Sequence, residues 1–155
     1  SAAMVEKYCA GSLPAVSHGA GLEAALKETV AKADAAMCVL DFQGGIMAIM
    51  DFCKQVNGYV TIKEPWILAK DPANQAVLEE VLYNTAESLR ALAVLLHPVM
   101  PQTCEILWES LGAQAVLGDL ASQKISDVAT WGQLPQGATV TKTPVLFPRL
   151  ETPAS

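Results

Sequence analysis

The hydrophobic residues of this chain recur every three to four positions over long stretches, the spacing that places side chains on one face of an α-helix. The first stripe predicts a helix over residues 22 to 41. A second predicts a helix over 46 to 61, after Gly44-Gly45 interrupts the pattern. The two stripes are Leu22, Leu26, Val30, Ala33, Met37 and Leu40, and then Ile46, Ile49, Met50, Cys53, Val56 and Val60.

The longest predicted helix covers residues 72 to 97. Asp71 supplies an N-cap and Pro72 suits the first helical position, which needs no backbone N–H. His97-Pro98 ends this helix, and the imidazole then lies near the negative end of the helix dipole. The apolar face is formed by Val77, Leu78, Val81, Leu82, Thr85, Leu89, Leu92 and Leu96.

The remaining pattern is less regular. Pro101 opens a shorter helix with Trp108 partly buried at the edge of its inner face, and Gly112 ends it in a left-handed conformation. Leu117 and Leu120 fit one more short helix. At the other end of the chain, residues 4 to 8 read as the tail of a helix that begins upstream, so we expect the natural chain to continue before Ser1.

These elements predict an all-α fold, an antiparallel helical bundle with an extended C-terminal tail packed on it. Residues 1–131 form the bundle, with its first helix truncated, and residues 132–155 form an extended strap of the same domain. The strap is assigned because residues 132 to 148 show no helical period. We expect its Val145, Leu146 and Phe147 to lie against the bundle.

The composition fits one compact domain that needs no disulfide bonds for stability. Hydrophobic residues make up 52% of the 155 and charged residues 17%. The longest stretch without a formal charge, residues 91 to 104, is 14 residues long, short of the roughly 20 that a membrane span needs. The four cysteines show no close pairing and are expected to be buried thiols of a cytoplasmic protein. We therefore predict no membrane interaction.

The net charge of −6 argues against a broad nucleic-acid surface, DNA included, because affinity for phosphates comes from accumulated Lys and Arg. The balance between basic and acidic residues is different in one segment. Between residues 54 and 70, Lys54, Lys63 and Lys70 outnumber the one acid, Glu64. This arrangement favours a small and selective contact over a long electrostatic track.

Pro65-Trp66 lies within that basic window and is the strongest candidate for function. A proline fixes the backbone and directs the next side chain, so Trp66 is suited to stack on an unpaired nucleobase while lysines meet phosphates. The alternative is a tryptophan packed in the core. Asn57 falls on or beside an apolar stripe, where its amide needs either a neighbouring backbone group or an external ligand.

Motifs for catalysis are not evident. The two histidines have no Gly-x-Ser-x-Gly elbow beside them, and no phosphate-binding loop, dinucleotide fingerprint or His-Glu-x-x-His pattern occurs. The residues alone therefore indicate a binding or scaffolding bundle. One alternative is a protein-interaction module whose groove takes a partner helix.

Three segments, residues 57–70, 96–101 and 146–151, resemble the anticodon-binding helical domain of bacterial methionyl-tRNA synthetases. The resemblance covers about residues 4 to 151. Its Asn-x-Tyr and Pro-Trp element is shared with the class I synthetases for valine, leucine and isoleucine, which remain an alternative. The combination with the Leu-Phe-Pro-Arg tail favours methionine.

The resemblance implies that Trp66, directed by Pro65, stacks on the first anticodon base of methionine tRNA. It also implies that an Asn-x-x-x-Arg pair, which reads base identity, precedes Ser1. The RNA-binding residues predicted in this chain are Trp66, Pro65, Asn57, Lys54, Lys63 and Lys70.

By the same resemblance, ATP and magnesium are bound in a catalytic domain elsewhere on the same polypeptide. This chain is then not an enzyme on its own but a fragment of a methionine-tRNA ligase, with no catalytic residue, metal site or cofactor of its own.

Overall fold

The computed structural model describes residues 2–15, 18–142 and 144. Within these ranges the protein is helical and has no β-strand, and its one isolated bridge joins Ser12 and Thr139. The all-α prediction is confirmed. The helices are α1 (Ala2–Tyr8), α2 (Leu22–Cys38), α3 (Phe42–Lys63), α4 (Pro65–Leu68), α5 (Gln75–Leu96), α6 (Pro101–Ser110), α7 (Ala113–Leu117) and α8 (Ile125–Val128), with 3₁₀ turns at Gly19–Gly21, Pro72–Asn74 and Leu120–Ser122.

The hairpin between α2 and α3 is tighter than the sequence predicted. Helix α3 begins at Phe42, so the glycine pair lies inside its first turns rather than in a loop. The Asp41 carboxylate caps this helix by accepting the Gly44 N–H at 2.9 Å. A side chain at position 44 would collide with that carboxylate, and one at position 45 would meet Met37 of α2. The glycines therefore permit capping and close helix packing.

Helix α5 runs through the middle of the molecule and packs against α2, α3, α4, α6 and α8. Its predicted start signal is correct, because the Asp71 carboxylate accepts the Ala73 N–H at 2.9 Å. The first turn, Pro72–Asn74, is nevertheless 3₁₀ rather than α-helical. At the other end His97 is the C-cap, and its Nε2 lies 3.6 Å from the Glu105 carboxylate.

Two apolar cores flank α5. The first includes Tyr83 and Trp108, and the second includes Leu26 and Phe52. The prediction that Trp108 is partly buried was wrong: only 1% of it is exposed, and its indole N–H donates to the Gly118 carbonyl at 2.9 Å. That hydrogen bond satisfies the one polar atom of the ring and lets the whole side chain enter the core.

The segment after α8 is extended and lies on the bundle. The Val140 N–H donates to the Gly11 carbonyl and the Thr141 N–H to the Ser110 carbonyl, both at 2.7 Å. Gly112 has a φ of 68°, as predicted for a left-handed stop, and a Cβ there would strike the Thr139 carbonyl. The predicted contacts of Val145, Leu146 and Phe147 lie outside the described residues.

Smaller expectations were corrected as well. Helix α7 ends at Leu117, and Leu120 belongs to a separate 3₁₀ turn. Cys104 is buried, but Cys38 is exposed because it ends α2 at the surface. Among the described helices, none combines the length and apolar character needed to cross a membrane.

Candidate nucleic-acid interface

A sharp corner joins α3 to α4. Glu64 is at once the C-cap of α3 and the N-cap of α4, and it adopts a left-handed conformation with φ 44° and ψ 60°. Its N–H donates to the Val60 carbonyl at 3.1 Å, while its own carbonyl accepts the Ile67 N–H at 2.7 Å. Pro65 follows at the first position of α4, where a missing N–H costs nothing.

This corner places the two residues of the Pro-Trp pair in different surroundings. Pro65 is buried, and 42% of Trp66 is exposed. Trp66 borders an open groove of about 320 Å³ between α1, α3 and α5. The alternative of a tryptophan fully packed in the core is therefore not what the structure shows. The groove is lined by Met4, Asn57, Val60, Thr61, Trp66 and Leu89, among others.

Asn57 is exposed at the rim of this groove. Its amide nitrogen lies 4.0 Å from the Cys53 sulfur, a weak contact, and its backbone carbonyl accepts the Thr61 hydroxyl at 2.9 Å. Among the described residues no further side-chain hydrogen bond of Asn57 is formed. Its amide oxygen is consequently able to accept from a ligand, and its nitrogen to donate to one.

The three predicted lysines do not form one cluster. Lys54 is ion-paired with Asp51 at 2.9 Å and lies nine residues, roughly 14 Å, before the end of α3. It shares a helix face with Asn57, whereas Lys63 is on the opposite face, 5.9 Å from the centre of the Tyr59 ring. Lys70 is exposed in the turn after α4. Only Lys63 and Lys70 are close in sequence to the Trp66 corner.

Tyr59 ties this corner to the centre of the bundle. Its hydroxyl accepts a hydrogen bond from the amide of Asn84, a fully buried residue of α5, at 3.1 Å. Burial raises the pKa of the Tyr59 hydroxyl and the nearby Glu80 adds to this, while the Asn84 hydrogen bond opposes it. The hydroxyl therefore stays neutral near pH 7. The sequence indicates such a contact only through Asn84, because an amide in an apolar helix needs a hydrogen-bond partner.

Sequence reasoning also missed a buried ion pair in α5. Arg90 Nε donates to Glu87 Oε1 at 2.8 Å, with at most 1% of either side chain exposed. The Glu87 carboxylate also accepts the backbone N–H groups of residues 132, 133 and 134, and Arg90 Nη2 donates to the carbonyls of residues 128 and 130. The pair holds the C-terminal segment on α5 and does not line the groove. The sequence does carry an indication of this pair, because Glu87 and Arg90 are the only charged residues between positions 81 and 96.

The groove offers a surface for stacking and hydrogen bonding. In the described ranges, no three His, Cys, Asp or Glu side chains converge as they would to hold a metal ion. The arrangement is an exposed indole on a fixed corner, with an amide on the groove rim and two lysines, Lys63 and Lys70, close to the corner in sequence. Such a surface suits an unpaired base with its phosphates.

Comparison with known proteins identifies the family of the chain. Residues 21–136 match the family model described as the anticodon-binding domain of tRNA ligase. The chain is 56% identical over 157 residues to the methionine-tRNA ligase of Streptomyces coelicolor, covering 97% of this chain and 29% of the relative. It is 34% identical to that of Bacillus subtilis, covering 96% of this chain and 22% of the relative.

A solved structure gives the same result. The free-state crystal structure of Mycobacterium tuberculosis methionyl-tRNA synthetase superposes with a TM-score of 0.84 at 25% identity, over 98% of this chain and 30% of that one. The chain thus spans less than a third of the length of these relatives.

Proposed function

The chain belongs to the family of anticodon-binding domains of tRNA ligases, and on that premise we propose that it binds the anticodon loop of methionine tRNA as part of a methionine-tRNA ligase. The observation that carries the proposal is the exposed Trp66, held by a buried proline at the edge of an open groove. An indole in that position is a platform for one unpaired base.

Methionine is favoured over valine, leucine and isoleucine by the names of the similar proteins, which are methionine-tRNA ligases across several bacteria. The Leu-Phe-Pro-Arg segment, residues 146–149, supports the same choice through the family resemblance. The partners proposed for this chain are therefore methionine tRNA and the catalytic domain of the same polypeptide.

In the longer protein, two parts then have separate roles. The catalytic domain binds ATP and magnesium and joins methionine to the tRNA in the cytoplasm, and this chain selects the tRNA at a distance. Trp66 supplies stacking, worth roughly 1 to 3 kcal/mol per base. We assign phosphate contacts to Lys63 and Lys70 and a polar contact to Asn57. With so few cations, we expect the dependence of tRNA affinity on salt to be shallow.

The test replaces Trp66 by alanine in the full-length protein. Loss of 1 to 3 kcal/mol of stacking raises the Kd for methionine tRNA by about 5- to 150-fold. Methionine-dependent ATP exchange, which needs no tRNA, stays unchanged. A large loss of exchange in Trp66→Ala would contradict the proposed separation of roles.

Two further variants sharpen this experiment. Trp66→Phe keeps an aromatic face and should retain most of the affinity. Ile62→Ala removes a side chain that is 80% exposed near the same corner, and it should leave the Kd unchanged. An equal loss of tRNA binding in Ile62→Ala and Trp66→Ala would show that the corner, rather than stacking, matters.

A further inference from the structure

Three of the four lysines on α2 and α3 pair with a carboxylate about one helical turn before them. These ion pairs are Lys27–Glu23, Lys32–Glu28 and Lys54–Asp51, with N···O distances of 2.6 to 2.9 Å. The fourth, Lys63, ends α3 and has Tyr59 in that position instead. Because residues four apart are neighbours on a helix surface, the Lys63 ammonium meets an aromatic ring where the other three meet an acid.

This ring holds the Lys63 ammonium without neutralising it. Lys63 Nζ lies over the Tyr59 ring, 5.9 Å from its centre, within the reach of a cation–π contact. Among the described residues Lys63 forms no ion pair, although it is partly buried, Glu64 follows it and Glu80 lies near Tyr59. Burial raises the pKa of the Tyr59 hydroxyl, so the ring carries no charge near pH 7. The positive charge of Lys63 therefore stays uncompensated at the surface.

The ring is itself fixed by the interior of the bundle. Its hydroxyl accepts the amide N–H of Asn84 at 3.1 Å, and Asn84 is fully buried on α5. The body of the ring packs against the second core. Tyr59 is therefore held both along its side chain and at its outer end, and it can fix a flexible side chain that rests on it.

We propose that Tyr59 is a positioning residue for tRNA binding, whose ring holds the Lys63 ammonium ready for a phosphate of the anticodon loop. The inference rests on the proposed function, which supplies the RNA. A long flexible side chain loses conformational entropy when it is fixed against a ligand, and a side chain that is already held loses less. A carboxylate in place of the ring would also hold the lysine, but it would repel the phosphate.

The position of Lys63 at the corner identifies which phosphate it meets. Lys63 and Trp66 flank the left-handed Glu64 and are three residues apart, a chain span of at most roughly 11 Å. A base stacked on Trp66 and a phosphate bound by Lys63 consequently belong to the same short stretch of the loop. Tyr59 thus acts on the RNA only through Lys63.

The first test needs no RNA. In the 155-residue chain with ¹³C-labelled lysine, the ring current of Tyr59 should shift the ε-methylene protons of Lys63 upfield from those of the exposed Lys70. The Lys63 signal is assigned by its loss in Lys63→Arg. Tyr59→Leu should abolish the shift and Tyr59→Phe should retain it, with the fold of each variant checked by circular dichroism. A Lys63 signal without the shift in the unmodified chain would overturn the proposal.

The second test is a double-mutant cycle on the Kd for methionine tRNA in the full-length protein. Tyr59→Leu should raise the Kd about two- to fivefold, the range that a cation–π contact at an exposed site allows. In a Lys63→Ala background the same substitution should change nothing, because the side chain that the ring holds is gone. Lys63→Ala alone should reduce the slope of log Kd against log salt concentration by about 0.7, the value for one phosphate of a single strand.

Two controls separate positioning from stability. Tyr59→Phe keeps the ring and should keep the affinity within about twofold. In a Lys70→Ala background, Tyr59→Leu should retain its full effect, because Lys70 does not rest on the ring. Equal effects of Tyr59→Leu in the natural and Lys63→Ala backgrounds would show a merely structural role for Tyr59 and would overturn the proposal.

Failure of this proposal is distinguishable from failure of the proposed function. Weak tRNA binding by Trp66→Ala together with an additive Tyr59 and Lys63 cycle retains the proposed function and removes the positioning role. Undiminished binding by Trp66→Ala removes the stacking on which the proposed function depends, and the cycle still decides whether Tyr59 and Lys63 act together on the tRNA.

Discussion

The surroundings of each cysteine decide its reactivity. Cys104 is buried in the first core, where burial, assisted by the nearby Glu105, raises the pKa of its thiol to about 11. Cys38 is exposed at the end of α2. Because the thiolate is the nucleophile, a pKa of about 11 leaves Cys104 about one part in a thousand ionised at pH 8. Poor solvent access and low ionisation of the thiol therefore both slow the reaction of Cys104.

We therefore expect Cys38 in the 155-residue chain to react with iodoacetamide at pH 8 at least about 100-fold faster than Cys104. The rates are measured by peptide mass spectrometry on timed samples. In concentrated urea both the burial and the pKa shift disappear, so the two rates should converge. Equal rates in the folded protein would contradict the assignment of Cys104 to the core.

Trp66 shows how far single residues can be interpreted from sequence. The proline beside it predicts a fixed corner, and the structure has one. The exposure of the indole also depends on the left-handed Glu64, and no sequence rule assigns that conformation to a glutamate. The lysines were grouped by their positions along the chain. Helix geometry places Lys54 and Lys63 on opposite faces, so the predicted cluster is only partly assembled.

At the scale of elements, the Glu87–Arg90 pair joins α5 to the C-terminal segment. The two side chains pair with each other and with five backbone groups between residues 128 and 134. Tyr83 adds a sixth contact, because its hydroxyl donates to the Leu134 carbonyl at 2.8 Å. A segment without regular structure thereby satisfies its buried backbone groups on a helix.

Glu87→Gln leaves the Arg90 charge buried without a counterion, so we expect it to lower the free energy of unfolding by about 3 to 5 kcal/mol. Urea unfolding followed by circular dichroism measures this loss. The double variant Glu87→Leu/Arg90→Leu removes both charges but leaves the five backbone groups unpaired, and it should also be less stable than the natural chain. Full stability in the double variant would show that those backbone contacts contribute nothing.

The helices were predictable because their apolar period is strong, and Asp71 and Pro101 marked real starts. The Gly44-Gly45 pair was misinterpreted because glycine usually breaks helices, and only the packed structure shows what fills the space beside it. Glu87 and Arg90 were overlooked for a related reason. Charges inside an apolar run have meaning only once their partners, some 40 residues away in sequence, are known.

At the scale of the whole molecule, α5 is shared by two cores. It contributes Leu82 and Tyr83 to the first and Leu92 and Leu95 to the second. It also lines two surface pockets, the Trp66 groove beside its middle and the cavity beside its end. A helix common to both cores cannot lose its packing on one side and keep it on the other without exposing apolar surface. The bundle should therefore unfold as one unit.

This cooperativity is testable with one reporter in one core and one substitution in the other. In a Trp66→Phe/Trp131→Phe background, Trp108 reports from the first core. Leu26→Ala removes a fully buried side chain of the second core and should cost about 2 to 5 kcal/mol. Because α5 couples the cores, the urea midpoint seen by Trp108 fluorescence should fall by that amount divided by an unchanged m-value.

The matched control is Leu40→Ala, the same substitution at an exposed leucine, which should change the stability of the 155-residue chain by less than about 0.5 kcal/mol. Independent cores would leave the Trp108 midpoint in place while circular dichroism recorded a separate early transition. A common midpoint for both probes would instead establish that α5 carries a loss in one core to the other.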